Sequence, residues 1–132
     1  LASRERVLGP DHPDTLNSRH NLGACLFRLD RHHEAAAVCA EALASRERVL
    51  GPDHPDTLNS RHNLATVLSS VGRHQEAADL HTATFTARER VLGPDHPDTL
   101  TSRNKSAEAW QQVQTARSRA RGQRWRRLLR RR

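Results

Sequence analysis

The 132-residue chain has no tyrosine and no methionine, and aromatic residues make up only 3% of it. Bulky side chains are too few to fill a broad globular interior, so packing falls to alanine and leucine, which suits closely approaching helices. No apolar run nears the roughly 18–20 residues of a membrane-crossing helix, and the opening residues carry no secretory signal pattern. Lysine occurs once, at Lys105, and no glycine-rich phosphate loop is present, which excludes a Walker-type nucleotide site. The two cysteines, Cys25 and Cys39, form no CxxC pair. Both fall in predicted helices and read as small, buried or half-buried apolar residues of a reducing, cytoplasmic setting.

Acid is missing too, but only locally. Residues 117–132 hold nine arginines and no Asp or Glu. The remaining 116 residues carry 13 basic side chains (22 − 9) against 15 acidic ones, so the formal net charge of +7 belongs to the arginine stretch.

What the chain does hold is a repeat. RERVLGPDHPDTL occurs at 4–16, 46–58 and 88–100, with an offset of 42 residues each time (46 − 4 and 88 − 46). Self-similarity at a fixed period of this size marks a stacked repeat architecture. Each copy reads as a junction between helices. Val7 and Leu8 close an apolar stripe, Gly9 stops the helix, and Pro10 cannot extend it. Pro13 suits the first turn of the next helix, and Asp14 lies near its positive end. His12, His54 and His96 recur in an identical DHPD setting, one per repeat, so they read as capping residues and not as converging metal ligands. His32, His33 and His74, at the turns within the pairs, make only a weak zinc candidate. No metal or cofactor is expected.

Periodicity predicts helices over about 13–29 and 33–50, then 55–71 and 75–92; the short links make each pair antiparallel. Leu22, Leu26 and Leu29 share one face of the first helix. Ala35, Val38, Cys39, Ala42, Leu43, Arg46, Val49 and Leu50 line the second. In the next copy His81 and Thr84 replace Cys39 and Ala42, which predicts poorer packing there. A third unit starts at Pro97 and decays, with Ser106, Trp110 and Gln114 standing where Leu64, Leu68 and Gly72 stood. The chain thus divides into a repeat array over 1–116 and an Arg-rich tail over 117–132. Within the array, 1–8 is the end of a preceding repeat, 13–50 and 55–92 are complete repeats, and 97–116 is degenerate. Opening on the second half of a repeat, it is expected to be part of a longer array. Alone it would be marginal, or would self-associate through an exposed repeat face.

Small residues at Gly23/Ala65, Ala35/Ala77 and Ala42, with Leu22/Leu64 before the first, resemble the tetratricopeptide consensus. The 42-residue period and VLGPDHPDTLNSRHNLA are similar to the kinesin light chain type of that repeat, known also from bacterial proteins. Another helical-pair solenoid, such as HEAT, is the alternative; the Gly/Ala spacing favours the tetratricopeptide reading. The resemblance implies an all-α superhelix (solenoid) of antiparallel helix pairs that binds a protein or peptide in a concave groove lined by the first helix of each repeat. By the same resemblance the groove positions are Asn17, His20, Asn21 and Arg28, then Asn59, His62 and Asn63, then Thr101, Asn104 and Lys105. Asn can hydrogen-bond an extended ligand's backbone, and basic side chains can hold its carboxylates.

Every conspicuous polar residue is copied from repeat to repeat, whereas an active site is a single asymmetric constellation, so no enzyme is expected. The tail RSRARGQRWRRLLRRR has three readings. One is a disordered, solvated end, since like-charge blocks generally stay unfolded. A second is a junction sequence that took over where the third repeat broke down. As a device, Arg124, Trp125, Arg126 and Arg127 would grip nucleic acid or an anionic membrane surface, with Trp125, Leu128 and Leu129 together on a helix.

Overall fold

The computed structural model describes Gly9 and residues 11–131. The expected helix end at 1–8 lies outside the described residues. Five helices follow one another: α1 (Pro13–Arg28), α2 (His32–Leu50), α3 (Pro55–Ser70), α4 (His74–Leu92) and α5 (Pro97–Arg130). No strand occurs among the described residues. Each helix packs on its neighbours in sequence, and α1 also touches α3, so the pairs lie one behind another.

The duplicated junction works through backbone geometry and one side chain. Gly51 and Gly93 end α2 and α4 at φ 92° and 91° with ψ 161° and 160°. That is an extended positive-φ conformation that essentially only glycine adopts. Three residues later His12, His54 and His96 cap the next helix. In each, Nδ1 accepts the N–H of Asp14, Asp56 or Asp98 at 3.1 Å, with Pro in the first turn. The imidazole therefore takes the role usually given to Ser or Asp. Thr57 satisfies the last turn behind, its hydroxyl donating to the Arg46 carbonyl at 3.3 Å.

The core is thin and built where the sequence stripe meets its neighbours. Leu26, Ala35, Ala36, Cys39, Leu43, Leu64, Val67, Leu68 and Ala77 form one cluster, and Ala78, Ala109 and Val113 a second. Leu29 and Val49, expected in the stripes, are instead exposed, and so is Val91, the copy of Val49 one repeat on. Leu29 is the C-cap of α1 and has left the helix face, and Val49 and Val91 sit in the last turns before the junctions, beyond the packing. Both cysteines are free; Cys39 is buried as expected, but Cys25 is exposed. His81 and Thr84 are buried despite their polarity, Thr84 by donating its hydroxyl to the Leu80 carbonyl at 2.8 Å.

Gly23 is a packing glycine. A Cβ there would come within 2.6 Å of Cys39 Sγ, so its absence lets α2 approach α1. The second copy solves the same crossing with Ala65 and His81.

The third unit departs in a specific way. At the turn between paired helices, Asp30 (φ 60°) and Gly72 (φ 84°) carry positive φ and reverse the chain. Their counterpart 42 residues on is Gln114, which stays helical, so α5 runs 34 residues to Arg130 without a stop. Arginine is a good helix former, and the Arg-rich stretch is helical through Arg130 where like-charge repulsion had suggested an unfolded end. Serine and tryptophan are also accommodated: Trp110 Nε1 donates to Thr82 Oγ1 at 2.9 Å, which lies 2.9 Å from Ser106 Oγ. Thr82 stands where the first copy has Ala40, so the lost Leu–Leu packing is replaced by a hydrogen-bonded triad.

Gly23→Ala should lower stability by about 1–2 kcal/mol by overpacking, although alanine is the better helix former. Adding Cys39→Ala should restore most of that loss in urea unfolding.

Candidate functional site

The residues expected in the groove divide into two groups once the packing is seen, and the divider is a buried arginine. Arg46 lies in the apolar stripe of α2 yet is buried. Its guanidinium ties three helices together. Nη1 donates to the Asp56 carbonyl at 3.1 Å and to Ser60 Oγ at 3.0 Å on α3, and Nη2 to Asn17 Oδ1 at 2.9 Å on α1. Nη1 also lies 3.2 Å from His20 Nδ1. On the other side of the ring, His20 Nε2 lies 3.2 Å from Asn63 Nδ2. Arg88 repeats the clasp one unit on, with Ser102 Oγ at 2.8 Å, the Asp98 carbonyl at 3.5 Å and Asn59 Oδ1 at 2.9 Å.

Asn17 and Asn59 are exposed on α1 and α3, but each has its Oδ1 held by a clasp, and His20 is half-buried beside the first. Asn63 is half-buried on the His20 ring. His62, the counterpart of His20, turns instead to His81, with ring centroids 5.4 Å apart. Asn21, Arg28, Asn104 and Lys105 are exposed; Arg28 reaches Cys25 Sγ at 3.5 Å and Lys105 pairs with Glu108 at 3.6 Å. Thr101 is also exposed and returns its hydroxyl to the Pro97 carbonyl. Arg124, Trp125, Arg126 and Arg127 are exposed near the far end of α5, away from all of these.

Beside the clasps, successive first helices leave open clefts. Between α1 and α3 a cleft of about 400 Å³ is floored by Cys39 and lined by Gly23, Phe27 and Val67, with Arg28, His62 and Asn63 around it. Its copy between α3 and α5 is about 150 Å³, floored by His81 and lined by Thr66, Ser69, Lys105, Glu108 and Gln112. Exchange of Cys39 for His81 shallows that floor, and Ser69 Oγ donates across it to Gln112 Oε1 at 3.2 Å. Of the two, the first cleft is the apolar, open one. Sequence did not single out Phe27 or Val67, and it placed Cys39 only as a small apolar residue of the stripe. The clasp did leave a signal: an arginine at the same register of two apolar stripes.

The tetratricopeptide repeat family matches the sequence over residues 1–38 and 20–90. The chain belongs to the tetratricopeptide repeat family. Tetratricopeptide repeats are in general protein-interaction scaffolds and not catalysts. Among solved structures, the nearly identical TPR-like repeats of a putative kinesin light chain from Podosopora anserina superpose with a TM-score of 0.81 at 27% identity. A crystal structure of the same repeats carrying a glutamine-to-methionine substitution gives 0.81 at 26% identity. Each alignment covers 89% of this chain and 56% or 55% of the other, so this tetratricopeptide chain spans about half the length of those proteins. No curated protein matches it. No helix among the described residues is long and apolar enough to cross a membrane.

Burial sets the protonation of the repeat histidines. It pulls His20 below the ordinary value, helped by Arg46, and His62 likewise, helped by Arg88 and Lys105. His81, 3% exposed, is pushed down to about 4 by burial, then by His62 and Lys105, with Glu108 opposing. The unfolded chain therefore binds protons before the folded one does, and stability present above pH 6.5 is lost as pH falls toward 4. Between pH 7 and 5, His81 should account for roughly 1–2 kcal/mol of that loss. Urea midpoints should fall accordingly, and His81→Leu should flatten the slope.

The clasp makes a separate prediction. Arg46→Met should cost about 2–4 kcal/mol, because the Asp56 carbonyl and buried Ser60 lose their donor. Arg46→Lys should recover less than half, since one ammonium cannot span the fork; denaturant titration of the three proteins checks both.

Proposed function

We propose that the chain is a non-catalytic scaffold that holds an extended segment of a partner protein across α1, α3 and α5. One observation carries this reading: the open cleft between α1 and α3, of about 400 Å³, floored by a thiol and walled by Phe27 and Val67. That is room for one large apolar side chain of a ligand. Pockets of this kind fix a peptide's register, while polar groups at their edges fix its direction. Here Arg28 stands at the lip and offers a planar fork to a carboxylate. Asn21 on α1 and Asn104 and Lys105 on α5 extend the exposed polar track on either side. Asn17 and Asn59 serve the reading indirectly, by holding Arg46 and Arg88 and so fixing the spacing of α1, α3 and α5.

The shallower copy under His81 offers polar groups and little apolar wall, so the two clefts discriminate between ligand positions. The first anchors and the second selects for a small or polar side chain.

Selection of a random displayed peptide library on the intact chain should yield ligands that share one apolar anchor residue. Ala24→Trp, which fills the first cleft from its edge, should weaken them at least about tenfold. Arg28→Glu should weaken chiefly those with an acidic residue beside the anchor. Unchanged affinity for the Ala24→Trp protein, with its helical spectrum intact, would end the groove reading.

A further inference from the structure

The last part of α5 is helix without a packing partner. Buried positions on α5 stop at Val113, and Arg117 reaches back to the repeats, its guanidinium donating to Gln75 Oε1 at 3.1 Å. From residue 118 to 131 every residue is exposed except half-buried Gly122. In register with the repeats, this segment occupies the sequence of a second helix of the third unit. Its inward positions are filled by Arg119, Gly122, Arg126 and Arg127 where α4 has Ala77, Leu80, Thr84 and Phe85. It cannot fold back to bury them, and with Gln114 helical it does not turn.

The segment is not uniformly polar. Trp125, Leu128 and Leu129 share one helical face at i, i+3 and i+4, and are 65%, 46% and 62% exposed. Arg121 lies on that face one turn before Trp125, Arg124 flanks it on one side and Arg126 on the other, while Arg119, Arg127 and Arg130 stand farther round the helix. No acidic side chain lies anywhere in 117–132. Residues 118–130 make a rod of about 20 Å, short and strongly cationic, with a small apolar ridge.

We propose that this helix docks the protein on an anionic lipid bilayer. Three features favour that occupant. The charge is single-signed, which complements a surface of phosphatidylserine-like headgroups and draws the helix to it. An apolar ridge of one Trp and two Leu is what an interfacial helix sets into the headgroup boundary, while arginines extend outward to phosphates. The ridge also covers a single turn, without the further anchors at i+7 that a helix laid in a protein groove uses. Nucleic acid would meet the arginines, but it gives Leu128 and Leu129 nothing to do. The repeats would then be displayed at the membrane with their clefts free, which links this site to the scaffold without depending on it.

The test is co-sedimentation of the intact chain with vesicles of phosphatidylcholine alone and of phosphatidylcholine with roughly 30% phosphatidylserine. The anionic vesicles should bind at least about tenfold tighter, and binding should weaken steeply as salt rises. Tryptophan emission should shift to the blue on the anionic vesicles and should not do so in Trp125→Ala. The variant Trp125→Ser/Leu128→Ser/Leu129→Ser keeps every arginine and touches no packed residue. It should lose about tenfold or more on anionic vesicles. Both proteins should bind a single-stranded oligonucleotide equally and weakly. Equal vesicle binding by the two proteins, or none by the intact chain, overturns the proposal. So does an oligonucleotide bound at least about tenfold more tightly than vesicles, which would assign the segment to nucleic acid.

Discussion

An arginine buried at the seam between repeats is what the rest of this structure depends on. A guanidinium taken out of water needs partners for its donors, and Arg46 Nη1 and Nη2 find them on two other helices: Asn17 on α1, the Asp56 carbonyl and Ser60 on α3, with His20 at the side, while Nε is buried without one. The demand is geometric as well as energetic, because a planar fork accepts partners only in fixed directions. Each repeat is thereby held to the next at a set offset, and the same arrangement recurs through Arg88. With so few aromatic and aliphatic side chains in the core, apolar burial alone would leave that offset loosely specified. Burial also lowers the pKa of both arginines, but Asp56 and Asp98 oppose the effect and the clasps stay cationic.

The clefts follow from this spacing. Once the clasps set the distance between α1, α3 and α5, the residue beneath them decides what space remains. Cys39 leaves a deep apolar recess and His81 fills its copy. Gly23 belongs to the same device, since only its missing methyl lets the thiol sit there. Identical scaffolding thus presents unlike surfaces, which is how a repeat protein of such high self-similarity acquires a direction.

Where repetition fails, the chain changes character. Asp30 and Gly72 turn the chain by adopting positive φ, and Gln114 does not. That single position converts a helical hairpin into one long helix, and the arginines beyond it confirm the change, because nothing there could form a buried face. Exposed ion pairs such as Arg90 with Asp53, at 2.7 Å, decorate the junctions without deciding any of this.

Much of the fold was legible in the chain. The 42-residue offset, the Gly-Pro punctuation and the 3.6-residue stripes specify helix type, boundaries to within a residue or so, and pair order, because these depend on local backbone preferences. The capping histidines were legible for the same reason. The candidate site was legible only as a set of polar positions on the first helices. Sequence could not separate Asn17 and Asn59, which hold buried arginines, from Asn21, Arg28, Asn104 and Lys105, which hold none, since all are exposed polar residues on the first helices. That distinction, like the recess over Cys39 and the straight run of α5, is set by which side chains meet across helices far apart in the chain. Only the tertiary structure brings them together.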